Sequence, residues 1–314
     1  MKAQSFLLVT AGLLALAPIS AHAKIERVVE KTFTVSPGGL LNVSTQGGDI
    51  RVETAAGNVV KVIAKERIRA DSESEADELL KPLQLTIEQD GGGVTATAKY
   101  ERKLADFHWH SWPPVQVSFV VTVPASYNAE LHTSGGDIKV ADLGGKLNAH
   151  TSGGNLVLGK ITGEINAQTS GGNVRLEEGG AATKLGTSGG NISVEHIVGP
   201  AELRTSGGDI SIGTVDDTLE ARTSGGNVSA QISGGLKGDC VLSTSGGRVR
   251  ATVPKSAAFD LEASTSGGDV RADGLTITID GGGVGKSRLS GRVNGGGPKL
   301  KLHSSGGDIV VETR

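Results

Sequence analysis

The sequence predicts an all-β protein: a parallel β-solenoid of about ten coils, each of 18–21 residues and two short strands, behind an N-terminal β-rich cap containing one helix. Three observations carry that prediction. The hexapeptide Thr-Ser-Gly-Gly-Asp/Asn-aliphatic starts at Thr133, Thr151, Thr169, Thr187, Thr205 and Thr223, each time 18 residues after the last. A fixed period this short marks coils stacked one on the next. The apolar positions between motifs keep their parity because 18 is even, so a slip of one residue would turn every apolar set to solvent. Glycine supplies 48 of the 314 residues and aromatics only 3%, which suits a thin interior of small aliphatic side chains.

Residues 1–23 read as a secretory signal peptide. Lys2 gives the positive start, Phe6 to Leu16 an apolar stretch, and Ala21-His22-Ala23 a small-x-small cleavage pattern. The mature chain is then expected from Lys24, soluble and exported, with no further candidate transmembrane segment. Residues 24–130 lack the 18-residue beat and read as the cap. Strands are expected at Thr32 to Val35, Leu40 to Thr45, Asp49 to Glu53, Val59 to Arg69, Leu83 to Gln89, Val94 to Tyr100 and Val115 to Val123. One helix is expected near 72–81: Ser72 caps it, Glu75 stands three residues on, Ala76, Leu79 and Leu80 give the apolar stripe, and Pro82 ends it. Thr45-Gln-Gly-Gly-Asp-Ile50 is a degenerate early copy of the repeat.

Residues 131–314 read as the solenoid. In the first coil Asp137 to Val140 makes one strand and Gly145 to Thr151 the other, with Leu143 capping the turn. Gly-Gly is expected to give the corner freedom for positive φ. The motif threonine is expected to point inward, with stacked hydroxyls bonding one another. Later coils lengthen to 21 residues at Thr244 (Arg248 in the acid/amide slot) and Thr265, the motif decays near Lys286, and it returns as Ser304 to Ile309. Ile309 and its neighbours end the chain without an evident cap, so self-association through this C-terminal coil is expected.

The mature chain carries 30 Lys+Arg, one fewer than the full chain's 31, against 34 Asp+Glu, a net charge of −4. That balance gives no electrostatic reason to bind nucleic acid. The single cysteine, Cys240, rules out an internal disulfide and shares parity with Leu242 and Thr244, so a buried, unreactive thiol is expected.

Taken together, Phe33-Thr-Val-Ser-Pro-Gly-Gly, Thr45-Gln-Gly-Gly-Asp-Ile-Arg-Val, the Glu/Ala/Leu-rich segment Glu73 to Leu80, Val121-Thr-Val-Pro and the repeats resemble the bacterial "putative adhesin" family built on domain of unknown function 4097. The resemblance covers nearly all of the mature chain. It implies an exported or surface β-solenoid tied to the cell envelope, and it brings no catalytic residues. Some members carry a membrane anchor; none is expected in this chain.

Several side chains are candidates for binding. Phe107-His108-Trp109-His110-Ser-Trp112 holds both tryptophans: aromatic rings beside polar groups suit a sugar or partner, and His-x-His can ligate a metal. The plainer reading is a cap loop whose Trp109 and Trp112 cover a hydrophobic edge. Arg204 and Arg222 share a coil position and could hold an anionic glycan or phosphate. His132 and His150 likewise stack about 4.8 Å apart and are a weaker metal alternative, with no third ligand evident. The slot after Gly-Gly, Asp137 and Asn155 among its occupants, invites comparison with calcium β-rolls. Neutral Asn fills half of it, however, and an Asx ladder bonded to the backbone is the simpler reading. No cofactor is expected otherwise. The paired acids Glu177-Glu178 and Asp216-Asp217 read as solvated turns.

The sequence thus points to a non-catalytic, adhesin-like binding or structural protein of the cell envelope, periplasm or surface, with an envelope glycan or surface protein as partner. The alternatives are a polysaccharide-active β-helix enzyme, which would need a cluster of acids in a groove, and a calcium-binding β-roll.

Overall fold

The computed structural model describes residues 24–101, 114–279 and 285–314. Among these residues two long sheets face each other. The strand of each coil that ends in the motif threonine joins a fourteen-stranded upstream sheet, and the strand that follows Gly-Gly-Asx joins a thirteen-stranded downstream sheet. The coils stack in parallel and in register. Leu147, Ala149 and Thr151 lie between Ala129, Leu131 and Thr133 on one side and Ile165, Ala167 and Thr169 on the other. Alternation does the sorting: Leu147, Ala149, Leu156, Leu158 and Ile161 are buried, while Asn148 and Val157 face out. Each buried aliphatic packs on its counterparts one strand spacing above and below, and burying one Leu or Ile contributes about 1.5–3 kcal/mol.

The motif forms the joint between coils. Thr151 Oγ1 donates to the Gly136 carbonyl of the preceding coil at 2.9 Å and accepts the Gly154 N–H of its own coil at 3.2 Å. Thr169 and Thr187 repeat the arrangement. The hydroxyls therefore bond the backbone and not one another, because the carbonyl of the neighbouring corner lies closer to hand. Asn173 Oδ1 accepts the Asn191 N–H of the next coil at 2.8 Å, and Asn155 does the same for Asn173 at 2.9 Å. The Asx ladder thus links coils instead of closing its own turn.

The role expected for Gly-Gly also changes. Among the described residues the positive-φ glycines are Gly38, Gly57, Gly91, Gly92, Gly274, Gly295 and Gly296, none in a Thr-Ser-Gly-Gly motif. The second motif glycine is required by close approach: a Cβ on Gly154 would overlap the carbonyl oxygen of Gly136. The first is less constrained, since a Cβ on Gly153 would meet its nearest atom at 3.6 Å.

At both ends the order in space departs from the order in sequence. Leu40–Thr45 and Ile50–Ala55 form a complete coil, and Thr45 Oγ1 donates to the Val117 carbonyl at 2.8 Å. This coil sits between the Thr133 coil and an outermost coil made of Gly93–Tyr100 and Val115–Pro124. Antiparallel strands then close the end: Val59–Arg69 lies on Val115–Pro124, Lys24–Thr34 on Val59–Arg69, and Leu83–Asp90 on Gly93–Tyr100. The first strand begins at Lys24, earlier than expected. Its charged residues are held by cross-strand pairs, Glu26 with Arg67 at 3.3 Å and Glu30 with Lys61 at 2.8 Å. Charged edges of this kind discourage further strand addition. The helix spans Glu73–Leu80: Ser72 accepts the Glu75 N–H, and Glu75 accepts the N–H of Asp71. Residue 130 falls inside the strand Asn128–Thr133, which belongs to the upstream sheet.

The C-terminal end repeats the device. The Ser304 coil, Lys299–Ser304 with Ile309–Thr313, lies between the Thr244 coil and the Thr265 coil. Two expectations are corrected here. Among the described residues no coil forms near Lys286; Arg288–Val293 turns back and runs antiparallel on Phe259–Thr265. The strand Ile309–Thr313 is paired on both sides, so it offers no open edge for self-association. Cys240 is buried as its parity requires, and burial pushes its thiol up.

Candidate binding faces

Because inward positions are filled by packing and the motif by inter-coil bonds, chemistry is left to the outward columns. On the upstream sheet a shallow groove of about 1060 Å³ crosses the strands from Asn128 to Val241. One column along it runs Glu130, Asn148, Asn166, Lys184, Glu202 and Glu220 in register, at strand spacing. The next runs His132, His150, Gln168, Gly186, Arg204 and Arg222.

The arginines expected to hold an anion already face carboxylates. Arg204 reaches Glu202 at 2.6 Å and Glu220 at 2.7 Å, and Arg222 reaches Glu220 at 2.7 Å. The Arg222 hydrogen bond holds Glu220 below the usual carboxylate range. The pair is therefore half of a charge ladder whose other half is acidic.

His132 and His150 stack as their shared position required, with ring centroids 5.2 Å apart and planes within 6°. That geometry does not fit one shared metal ion. A ligating nitrogen directs its lone pair in the ring plane at about 2.0–2.1 Å from the metal, and parallel rings aim those lone pairs side by side without convergence. Among the described residues no three His, Cys, Asp or Glu side chains gather in a way that could hold a metal. Trp109, Trp112, His108 and His110 lie outside the described residues.

Sequence reasoning missed one cluster. His196 stands 18 residues after Glu178, at the same coil position, and its Nδ1 lies 3.3 Å from Glu178 Oε2. Its Nε2 lies 2.9 Å from Asp216 Oδ2, and Asp216 in turn accepts the Ser233 hydroxyl. The Asp216 hydrogen bond raises the His196 pKa, with Glu178 adding to it; Ser233 and then His196 hold Asp216 low. The clue was the 18-residue spacing of Glu178 and His196, which the turn reading of Glu177-Glu178 passed over. The serine bonds the carboxylate and not the imidazole, so no base stands ready to take its proton as nucleophilic catalysis requires.

The fold and its outward columns define a two-sheet parallel β-solenoid with a regular, shallow surface. The Toastrack DUF4097 family matches residues 40–312, and the chain belongs to that family. Solved structures match the chain at low identity. A "putative adhesin" from Parabacteroides distasonis is 12% identical, with 92% of this chain and 97% of that one covered and a TM-score of 0.45. A "putative lipid binding protein" from the same species is 13% identical, with 91% and 97% covered and a TM-score of 0.44. A "putative adhesin" from Bacteroides fragilis is 11% identical, with 92% and 97% covered and a TM-score of 0.39. No curated protein matches the chain.

Proposed function

We propose that this protein is an exported, non-catalytic binding protein of the bacterial envelope or surface, and that the outer face of its upstream sheet is where it meets an extended partner such as an envelope glycan or a surface protein. The observation that carries the reading is the groove itself, which crosses the coils at even spacing and is lined by outward strand residues and by the short turns that precede them, such as Lys146, Glu164 and Pro200. A surface of this kind suits an elongated ligand lying across strands. It gives no enclosed space in which a reacting group would be shielded from water. The signal-like residues 1–23 support export, and no helix among the described residues is long and apolar enough to cross a membrane.

Cell fractionation followed by pull-down of envelope material with the purified protein, with and without chelator, tests this. The expected result is a mature N-terminus at Lys24 and saturable, chelator-insensitive capture of envelope material, lost when Lys184, Glu202 and Glu220 are replaced together. An unprocessed chain retained in the cytoplasm, or no capture of envelope material, would overturn the proposal.

A further inference from the structure

The upstream sheet's outer face is chemically divided. Toward the C-terminal side it carries the charge ladder of Lys184, Glu202, Glu220, Arg204 and Arg222. Toward the N-terminal side one column continues from Gln168 and His150 through His132 to Ser44, Thr97 and Thr86, all in register. The neighbouring column brings Asn166, Asn148, Asn42 and Thr95, interrupted by Glu130 and ending on a second acid, Glu88. These are nearly all uncharged groups that donate and accept hydrogen bonds, repeated at about 4.8 Å along each column. A cleft of about 410 Å³ opens among them, lined by Ser44, Gln84, Thr86, Thr97 and His132, with Lys99 at its rim.

We propose that this half of the face binds an uncharged glycan chain laid across the strands, seated in the cleft between Thr97, Ser44 and His132; the inference rests on the surface-binding reading above. The side chains of Ser44, Thr86, Thr95 and Thr97 make no side-chain hydrogen bond within the described residues and stand half-exposed. A sugar hydroxyl, like a serine or threonine hydroxyl, both donates and accepts, so each contact is satisfied without a charge on either side. An anionic polymer finds one cation here, Lys99, and meets the carboxylates of Glu130, Glu88 and Glu101, the last of which accepts from Gln84. The charge ladder next door sets the boundary, since seating a neutral chain there would desolvate ion pairs for no electrostatic return.

Titration calorimetry of the purified full chain tests this, with linear hexasaccharides of glucose, mannose and N-acetylglucosamine as neutral probes and hexagalacturonate as the charged one. At least one neutral probe should bind. Ser44→Ala, Thr97→Ala and His132→Ala together should weaken it by about tenfold or more. Thr97→Glu should abolish it by closing the cleft, and Ser211→Ala on the opposite sheet should leave it unchanged. Thermal melting shows that each variant is folded. Neutral binding that survives the cleft variants, or preference for hexagalacturonate, overturns this assignment while leaving the surface-binding reading in place. Absence of any sugar binding by a protein that still captures envelope material also overturns it and directs that reading to a protein partner. Failure of both assays removes the two together.

Discussion

The central coils and the two ends are built with the same joint but by different addresses. From Thr151 to Thr223 the carbonyl that accepts the motif hydroxyl lies 15 residues back, so neighbours in space are neighbours in sequence. At the ends the same bond spans far longer intervals. Thr133 reaches Gly48 across 85 residues, Ser304 reaches Gly247 across 57, and Thr265 reaches Gly307 across 42. The bond lengths hardly differ, from 2.8 to 2.9 Å throughout. The motif therefore specifies how two coils dock but not which two. In the middle the short tether decides the partner; at the ends a detour through antiparallel strands decides it.

The sharpest way to break the comparison is deletion. Removing residues 155–172 joins Gly154 to Asn173 and restores a continuous motif. Stability in stacked repeats is a sum of nearest-neighbour terms, so this shortened chain should fold and melt cooperatively with a modest loss. Removing residues 297–314, also 18 residues, takes out the coil that lies between the Thr244 and Thr265 coils. It should expose both apolar stacks and give aggregated or protease-sensitive material. Thermal melting and limited proteolysis of the two deletions check the contrast, which is the largest effect expected.

Single glycines sharpen it next. Gly172→Ala places a methyl on the Gly154 carbonyl and should cost about 2–4 kcal/mol, whereas Gly171→Ala meets only ordinary contacts and should cost under about 1 kcal/mol. Gly307→Ala meets the Gly247 carbonyl in the same way and should match Gly172→Ala if end and centre share one joint. Denaturant unfolding of the three variants decides it.

The smallest effect is electrostatic and confined to the centre. The His196 pKa is raised in the folded state, so its contribution to stability is fully present below the ordinary histidine value of 6.5 and fades as pH rises through the higher folded value. Asp216 is shifted the other way, so its contribution is present above the ordinary aspartate range and fades as pH falls through the depressed folded value. His196→Gln should remove the alkaline fade from the pH dependence of the unfolding midpoint and leave the ends unaffected.

The division between centre and ends also explains what was legible in the sequence. Parity and period gave the two-strand coils, the inward set around Leu147 and Ile165, and the His132–His150 stack, because each depends only on residues 18 apart. The insertion of the Ser304 coil was invisible, since period alone favours stacking in chain order and nothing in Arg288 to Val293 announces an antiparallel return. The reason for Gly-Gly was misassigned because a corner in sequence looks the same whether it needs φ freedom or room for a carbonyl. The outward faces were legible as columns but not as a pattern. Thr86 and Thr97 join Ser44 and His132 only through the N-terminal detour.

The tucked coil bears on biogenesis. Residues 299–313 leave the ribosome after the strands Phe259–Thr265 and Val270–Asp273 that they separate from the rest of the stack. Those earlier strands must wait, unpaired on that side, for the keystone to arrive. A chain cut between the Thr265 coil and the Ser304 coil carries its own flaw, two uncovered apolar stacks in plain view of proteases.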